Sequence, residues 1–299
     1  MKNAIIITLS LFLLFSCKNM SNKKDKEMRT YQLAMVQMEV VGGAPEINLS
    51  NAEARIREAA ENGAKIALLP EALDFGWTHT SAREAAGPIP GGMSFERLSK
   101  AARQNNIYVC AGIIERDGDD LYNAAVIIDR KGQLVLKHRK LNELDFAHKL
   151  YQIGNMLHVA ETELGTLGLL ICADATAADL ALAKSIGMMG ADIIVSPCAW
   201  AVPADHNNET DPYGQLWISA YRPISKIFDV WYVGVSNVGK LTDGEWEGWN
   251  CIGSSIAMNA DGELVVQGPY GAEADTIIYI DVALKNRPAK GTEWYEEWE

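Results

Sequence analysis

Apolar runs of strand length recur along this chain, and three that lie far apart each stop on a reactive side chain. Glu71 ends IALLPE, Lys140 ends QLVLKHRK, and Cys172 follows LGTLGLLI. A strand that stops on a polar residue delivers it to the carboxyl edge of a sheet, where open α/β proteins place their sites. A carboxylate, an ammonium and a thiol are one base, one cation and one nucleophile. Together they suffice for acyl transfer through a thioester.

The rest of the chain supports such a sheet. YQLAMVQM reads as a strand, Pro45 to Asn62 as a helix with Leu49, Ala52, Ile56 and Ala59 at helical spacing, and AKIALLP as a buried strand. Met93 to Asn105 reads as a second helix, followed by the strands NIYVCAGI, NAAVIID and QLVLKHR, with hairpin turns at Asp117-Gly118 and Lys131-Gly132. The order then repeats. LGTLGLLIC is predicted as a strand, Thr176 to Met189 a helix, ADIIVSP a strand, Pro212 to Asp229 a helix and VWYVGVSN a strand. GSSIAMN and GELVVQGP pair through Asp261-Gly262, and DTIIYIDV closes the body. Strand and helix twice, then antiparallel strands, then the same again: the pattern predicts two similar α/β halves packed sheet against sheet, helices outside. No Pro/Gly/Ser-rich linker divides them, so residues 30–284 read as one domain, followed by the acidic, aromatic tail 285–299.

The net charge of −12 and a pI near 5.0 argue against a nucleic-acid partner, because phosphate binding needs a basic face. The one dense basic run, Lys18 to Lys26, belongs to the N-terminus. There Lys2 precedes an apolar stretch from Ala4 to Phe15, shorter than the ~20 residues of a membrane-spanning helix, as in a secretory signal. Leu14-Phe15-Ser16-Cys17 resembles the lipobox of bacterial lipoproteins. That resemblance implies a signal peptide over residues 1–16, lipid on Cys17, a flexible tether over 17–29 and a lipid-anchored location in the cell envelope. Cys110, Cys198 and Cys251 sit in apolar surroundings without a CxxC pair and read as buried free thiols.

Taken in order, these segments resemble the nitrilase, or carbon-nitrogen hydrolase, superfamily from about Tyr31 to Val282. AAENGAKIALLPEALDFGW looks like its glutamate motif, KHRKLNE its lysine motif, and LLICADAT with GADIIVSPCAW its cysteine motif. The resemblance implies a four-layer α-β-β-α sandwich, a homodimer or larger even oligomer formed beside the cysteine strand, and Glu71, Lys140 and Cys172 as the catalytic set. The helix after Cys172 (AADLALAKSIGMM) is apolar around much of its circumference, which fits such an interface. Two departures stand out. No arginine follows the cysteine in Cys172-Ala173-Asp174-Ala175-Thr176, which weakens substrates bearing a carboxylate. The family's further glutamate, seven or eight residues after the lysine, is replaced by Ala147 and His148, leaving Glu143 and Asp145 as the nearby acids.

The chemistry follows from the residue types. Glu71 would take the thiol proton, pass it to the leaving ammonia or amine, then activate water against the thioester. Lys140 and the helix start after Cys172 would favour a thiolate. Lys140 and the backbone N–H of Ala173 would hold the oxyanion. Trp200 and Trp77 are candidate pocket walls, with Phe75 as a further cover and Glu143 as a support. Tyr122-Asn123 reads as the start of a strand. His138 and His148 lack the companions of a metal site, and the scheme calls for neither metal nor cofactor. The expected activity is hydrolysis of a small linear amide. Hydrolysis of a nitrile, acyl transfer to another protein or amine, and amide binding without catalysis are the alternatives.

Overall fold

Residues 29–286 are described here from a computed structural model. Cys17 and the signal peptide, the tether up to residue 28 and the tail from residue 287 lie outside the described residues. The first half contains β1 (Thr30–Gln37), α1 (Pro45–Glu61), β2 (Ile66–Leu68), the one-turn α2 (Ala82–Ala85), α3 (Met93–Asn105), β3 (Tyr108–Asp117), β4 (Asp120–Ile128) and β5 (Leu134–Arg139). The second contains β6 (Val159–Thr162), β7 (Gly165–Leu169), α4 (Ala181–Met188), β8 (Ile193–Cys198), β9 (Ala201–Val202), α5 (Gln215–Phe228) and β10 (Trp231–Ser236). β11 (Val238–Lys240), β12 (Asn250–Ile252), β13 (Ile256–Met258), β14 (Leu264–Gln267) and β15 (Thr276–Ala283) complete it.

Alternation within strands that are apolar on both faces builds the layers. In β1, Leu33 and Met35 enter the core between the sheets, while Ala34 and Val36 enter the core beneath α1 and α3. β3 and β4 repeat this, with Cys110 and Ile127 on the inner face and Val109 and Val126 on the outer. Each fully buried large aliphatic chain stabilises the fold by about 1.5–3 kcal/mol over an exposed one, so both faces must be covered. The first sheet runs β15-β1-β2-β3-β4-β5 and the second β14-β13-β10-β8-β7-β6. α1 and α3 cover the first, α4 and α5 the second. The result is the expected α-β-β-α sandwich.

Three local differences from the sequence reading have physical causes. β15 does not close the second half: it pairs antiparallel with β1, from Thr30↔Ala283 to Gln37↔Thr276, and so links the halves. β6 is an additional edge strand, antiparallel to β7 through a tight turn in which Gly165 adopts φ 110°. The helix expected from Thr176 begins only at Ala181. Two short 3-10 turns, Cys172–Thr176 and Ala178–Leu180, come first, and Asp179 and Leu180 have positive φ. The apolar spacing persists through this stretch, but the inward-bonded Asp174 described below holds the first turn too tightly for a straight helix.

Candidate active site

β2 is parallel to β3, and β5 returns to that direction through two antiparallel pairings, so Glu71 and Lys140 emerge at the same sheet edge. Past the last residue of β2 the chain stays on β3: Gly112 N–H donates to Pro70 O at 2.9 Å and Leu73 N–H to Gly112 O at 2.9 Å. This close approach requires glycine, because a Cβ on Gly112 would lie 2.5 Å from the Cα of Glu71. Asp74 pins the same turn. Its carboxyl accepts from Ser94 Oγ at 2.8 Å and from the N–H groups of Phe75 and Ile114, and burial raises it to about 7. Glu71 N–H also reaches Cys198 O at 3.1 Å, joining the turn to the second sheet.

Lys140 is buried, and its ammonium donates to Glu71 Oε1 at 2.8 Å and to Glu143 Oε1 at 3.0 Å. Asn123 Nδ2 bridges the same acids, 2.7 Å from Glu71 Oε1 and 3.0 Å from Glu143 Oε2. Burial alone would lower the pKa of Lys140, but the charges of Glu71 and Glu143 outweigh it and hold the group well above the usual lysine value. Burial raises Glu71, Glu143 adds to that, and Lys140 and Asn123 oppose it. Both donors converge on Oε1. Oε2 accepts no hydrogen bond among the described residues, and Glu71 lines the cavity described below.

Cys172 follows β7 on a turn where its own φ is +43°, a conformation a side-chain-bearing residue rarely adopts. Its N–H donates to Ser196 Oγ at 3.1 Å. Asp174 holds the turn: Oδ2 accepts from Ile171 N–H at 3.0 Å and lies 2.8 Å from His138 Nε2. Its Oδ1 accepts from the N–H groups of Leu141 and Asn142 at 3.0 and 2.7 Å. Burial pushes Asp174 up, but His138 and these backbone donors prevail and its pKa is lowered. Asn142 Nδ2 donates to Ala173 O at 2.6 Å, which orients the peptide after the cysteine. The Ala173 N–H has no acceptor among the described residues.

These groups meet at a cavity of about 270 Å³. Glu71, Lys140, Cys172 and Ala173 lie along it with Trp77, Trp200, Tyr213, Trp217 and Trp246. The two indoles expected as walls are there; Phe75 is instead buried in a neighbouring apolar cluster. Glu143 supports Lys140 from behind. Asn123, read from sequence as a strand start, is instead a hydrogen-bonding member of the site, because the β4–β5 register sets it beside Lys140, whose N–H donates to Asn123 O at 2.9 Å. The thiolate expectation also changes. Burial, Cys198 and Glu71 raise the Cys172 pKa well above the ordinary thiol value, and Lys140, engaged by two acids, only partly opposes them. Among the described residues no cluster of three or more His, Cys, Asp or Glu side chains could hold a metal ion. His138 is bonded to Asp174.

Comparison with known proteins gives this arrangement a family. The carbon-nitrogen hydrolase family model matches residues 32–288. The chain belongs to the carbon-nitrogen hydrolase family. It is 30% identical to the omega-amidase NIT2 of Bos taurus, over 86% of this chain and 90% of the relative. It is 34% identical to a nitrilase of Pyrococcus abyssi, over 85% of this chain and 90% of that one. In fold it is similar to a carbon-nitrogen hydrolase from Helicobacter pylori G27, with a TM-score of 0.75 and 18% identity over 85% and 89% of the two chains.

In this carbon-nitrogen hydrolase a raised thiol pKa means that less thiolate is present at any given pH. The ultraviolet difference spectrum between the wild type and Cys172→Ser therefore shows no thiolate band from about pH 6 to about pH 8.5, the ordinary thiol value. A band that titrates below neutrality would contradict the resting thiol.

Proposed function

We propose that the protein hydrolyses a small linear amide through an acyl thioester on Cys172, releasing ammonia or an amine and a carboxylate. The single observation that carries this reading is the convergence of Glu71, Lys140 and Cys172 on one cavity, with Glu71 bonded, among the described residues, only through Oε1. A thiol with a raised pKa needs its proton removed as it attacks, and the unbonded Oε2 of Glu71 is the nearby acceptor. A carboxylate whose pKa is raised by burial is a stronger base than an ordinary one. Lys140 and the free Ala173 N–H act on the developing oxyanion, each such donor contributing about 3 kcal/mol. Collapse expels the amine with the proton from Glu71, and Glu71 then deprotonates the water that attacks the thioester. A nitrile attacked by the same thiol would give a thioimidate, which must add a water before its nitrogen can leave as ammonia, whereas the amide reaches the thioester without that step.

The account predicts that Cys172→Ala abolishes ammonia release from primary amides. Glu71→Gln keeps the side chain's shape but removes the base, and should lower turnover by about 10²–10⁴-fold. Wild-type levels of hydrolysis by Cys172→Ala would refute the assignment.

The lipobox-like Leu14-Phe15-Ser16-Cys17 supports a location in the bacterial envelope, anchored by lipid on Cys17, with the tether leading to the hydrolase domain. The apolar segment around α4, where Met188 stays exposed, supports assembly as a homodimer or larger even oligomer. Cys17→Ser should move the protein from the membrane fraction to the soluble one, where light scattering should give an even multiple of the chain mass. Unchanged membrane association would exclude the anchor, and a monomer mass at micromolar concentration the assembly.

A further inference from the structure

Beside Cys172 the cavity wall is aromatic and its charge is one-sided. Trp200 stacks on Trp217 with ring centroids 4.8 Å apart and 18° between planes. The Trp217 indole N–H donates to Tyr213 Oη at 2.9 Å, which fixes both rings. A second aromatic group, Trp77 against Trp246 at 5.1 Å, extends the lining from the Glu71 turn and the β11–β12 connection. Lys140 is the only cation among the lining residues, and its ammonium is already bonded to two carboxylates. Among the described residues neither arginine nor histidine lines the cavity.

We propose that this cavity takes an uncharged, apolar acyl group, aliphatic or aryl, and rejects amides whose acyl chain carries a carboxylate. The inference rests on the amidase reading of the same site. A substrate carboxylate entering here would leave water without gaining a cation, beside a cluster in which two acids outnumber one ammonium. An apolar chain loses nothing by leaving water, and an aryl ring can stack on the Trp200–Trp217 pair. The volume of about 270 Å³ is near the lower end for small-molecule pockets and suits an acyl group of modest length rather than a peptide. Rings also attract cations, so a cationic acyl chain is the sharpest competitor.

The test uses primary amides of similar length: hexanamide and 3-phenylpropanamide, against glutaramate as the anion and 6-aminohexanamide as the cation. The purified protein is assayed by ammonia release. The apolar amides should exceed glutaramate in kcat/KM by about 10²-fold or more, as a site does when a substrate's polar group finds no partner, and should also exceed 6-aminohexanamide. Glutaramate or 6-aminohexanamide turned over as well as hexanamide would overturn the inference and leave the amidase reading intact. Should no amide be hydrolysed, that reading fails, and binding to Cys172→Ala, followed by tryptophan emission, judges the cavity alone. Saturable binding of 3-phenylpropanamide without binding of glutaramate supports the inference; equal binding, or none of the apolar amide, overturns it.

Discussion

Lys140 is an ammonium held out of water between two carboxylates, 2.8 Å from Glu71 and 3.0 Å from Glu143. Such a cluster is tolerated only when its members are well placed, because desolvating a charge costs several kcal/mol and removing one partner of a buried pair costs about 3–5 kcal/mol. The sandwich supplies the placement. β2 and β5 end at one edge, Gly112 lets the Glu71 turn lie directly on β3, and Asn123 bridges the two acids from β4. The same cluster sets the chemical state of the site. It consumes the cation that would otherwise stabilise a free thiolate, and leaves one oxygen of Glu71 without a hydrogen bond among the described residues.

Asp174 carries that arrangement across to the second sheet. One buried carboxylate accepts from the backbone on both sides of the site, Leu141 and Asn142 after the lysine and Ile171 before the cysteine, while His138 of β5 bonds its outer oxygen. A shift of the lysine loop therefore cannot occur without disturbing the turn on which Cys172 sits at positive φ. Strain of that kind costs of order 1–3 kcal/mol and persists where the surroundings over-determine it. The backbone bonds to Asp174 and Ser196 supply that constraint.

Much of this was legible in the chain. Glu71, Lys140 and Cys172 each close an apolar run, and strand ends at a carboxyl edge are a local signal that needs no tertiary information. The layers were legible for the same reason, since strands such as NIYVCAGI are apolar on both faces. Asn123 was not. A bulge between Ile127 and Ile128 shifts the β4–β5 register. Counted back from the Lys131-Gly132 turn without it, Asn123 would face Arg139 rather than Lys140. The cap formed by Asp174 was hidden because its donors come from a loop some thirty residues away, at Leu141 and Asn142. The pairing of β15 with β1 joins strands at opposite ends of the chain, and no local pattern encodes it.

The central claim is that the acyl group resides on the sulfur of Cys172 during turnover. Rapid acid quench of the wild type mixed with an activated ester or amide, followed by intact mass and peptide mapping, reads that directly. The account predicts one added acyl mass, on the peptide containing Cys172. An adduct on Cys198 or Cys251, or turnover with no adduct in Cys172→Ala and undiminished rate, would contradict it.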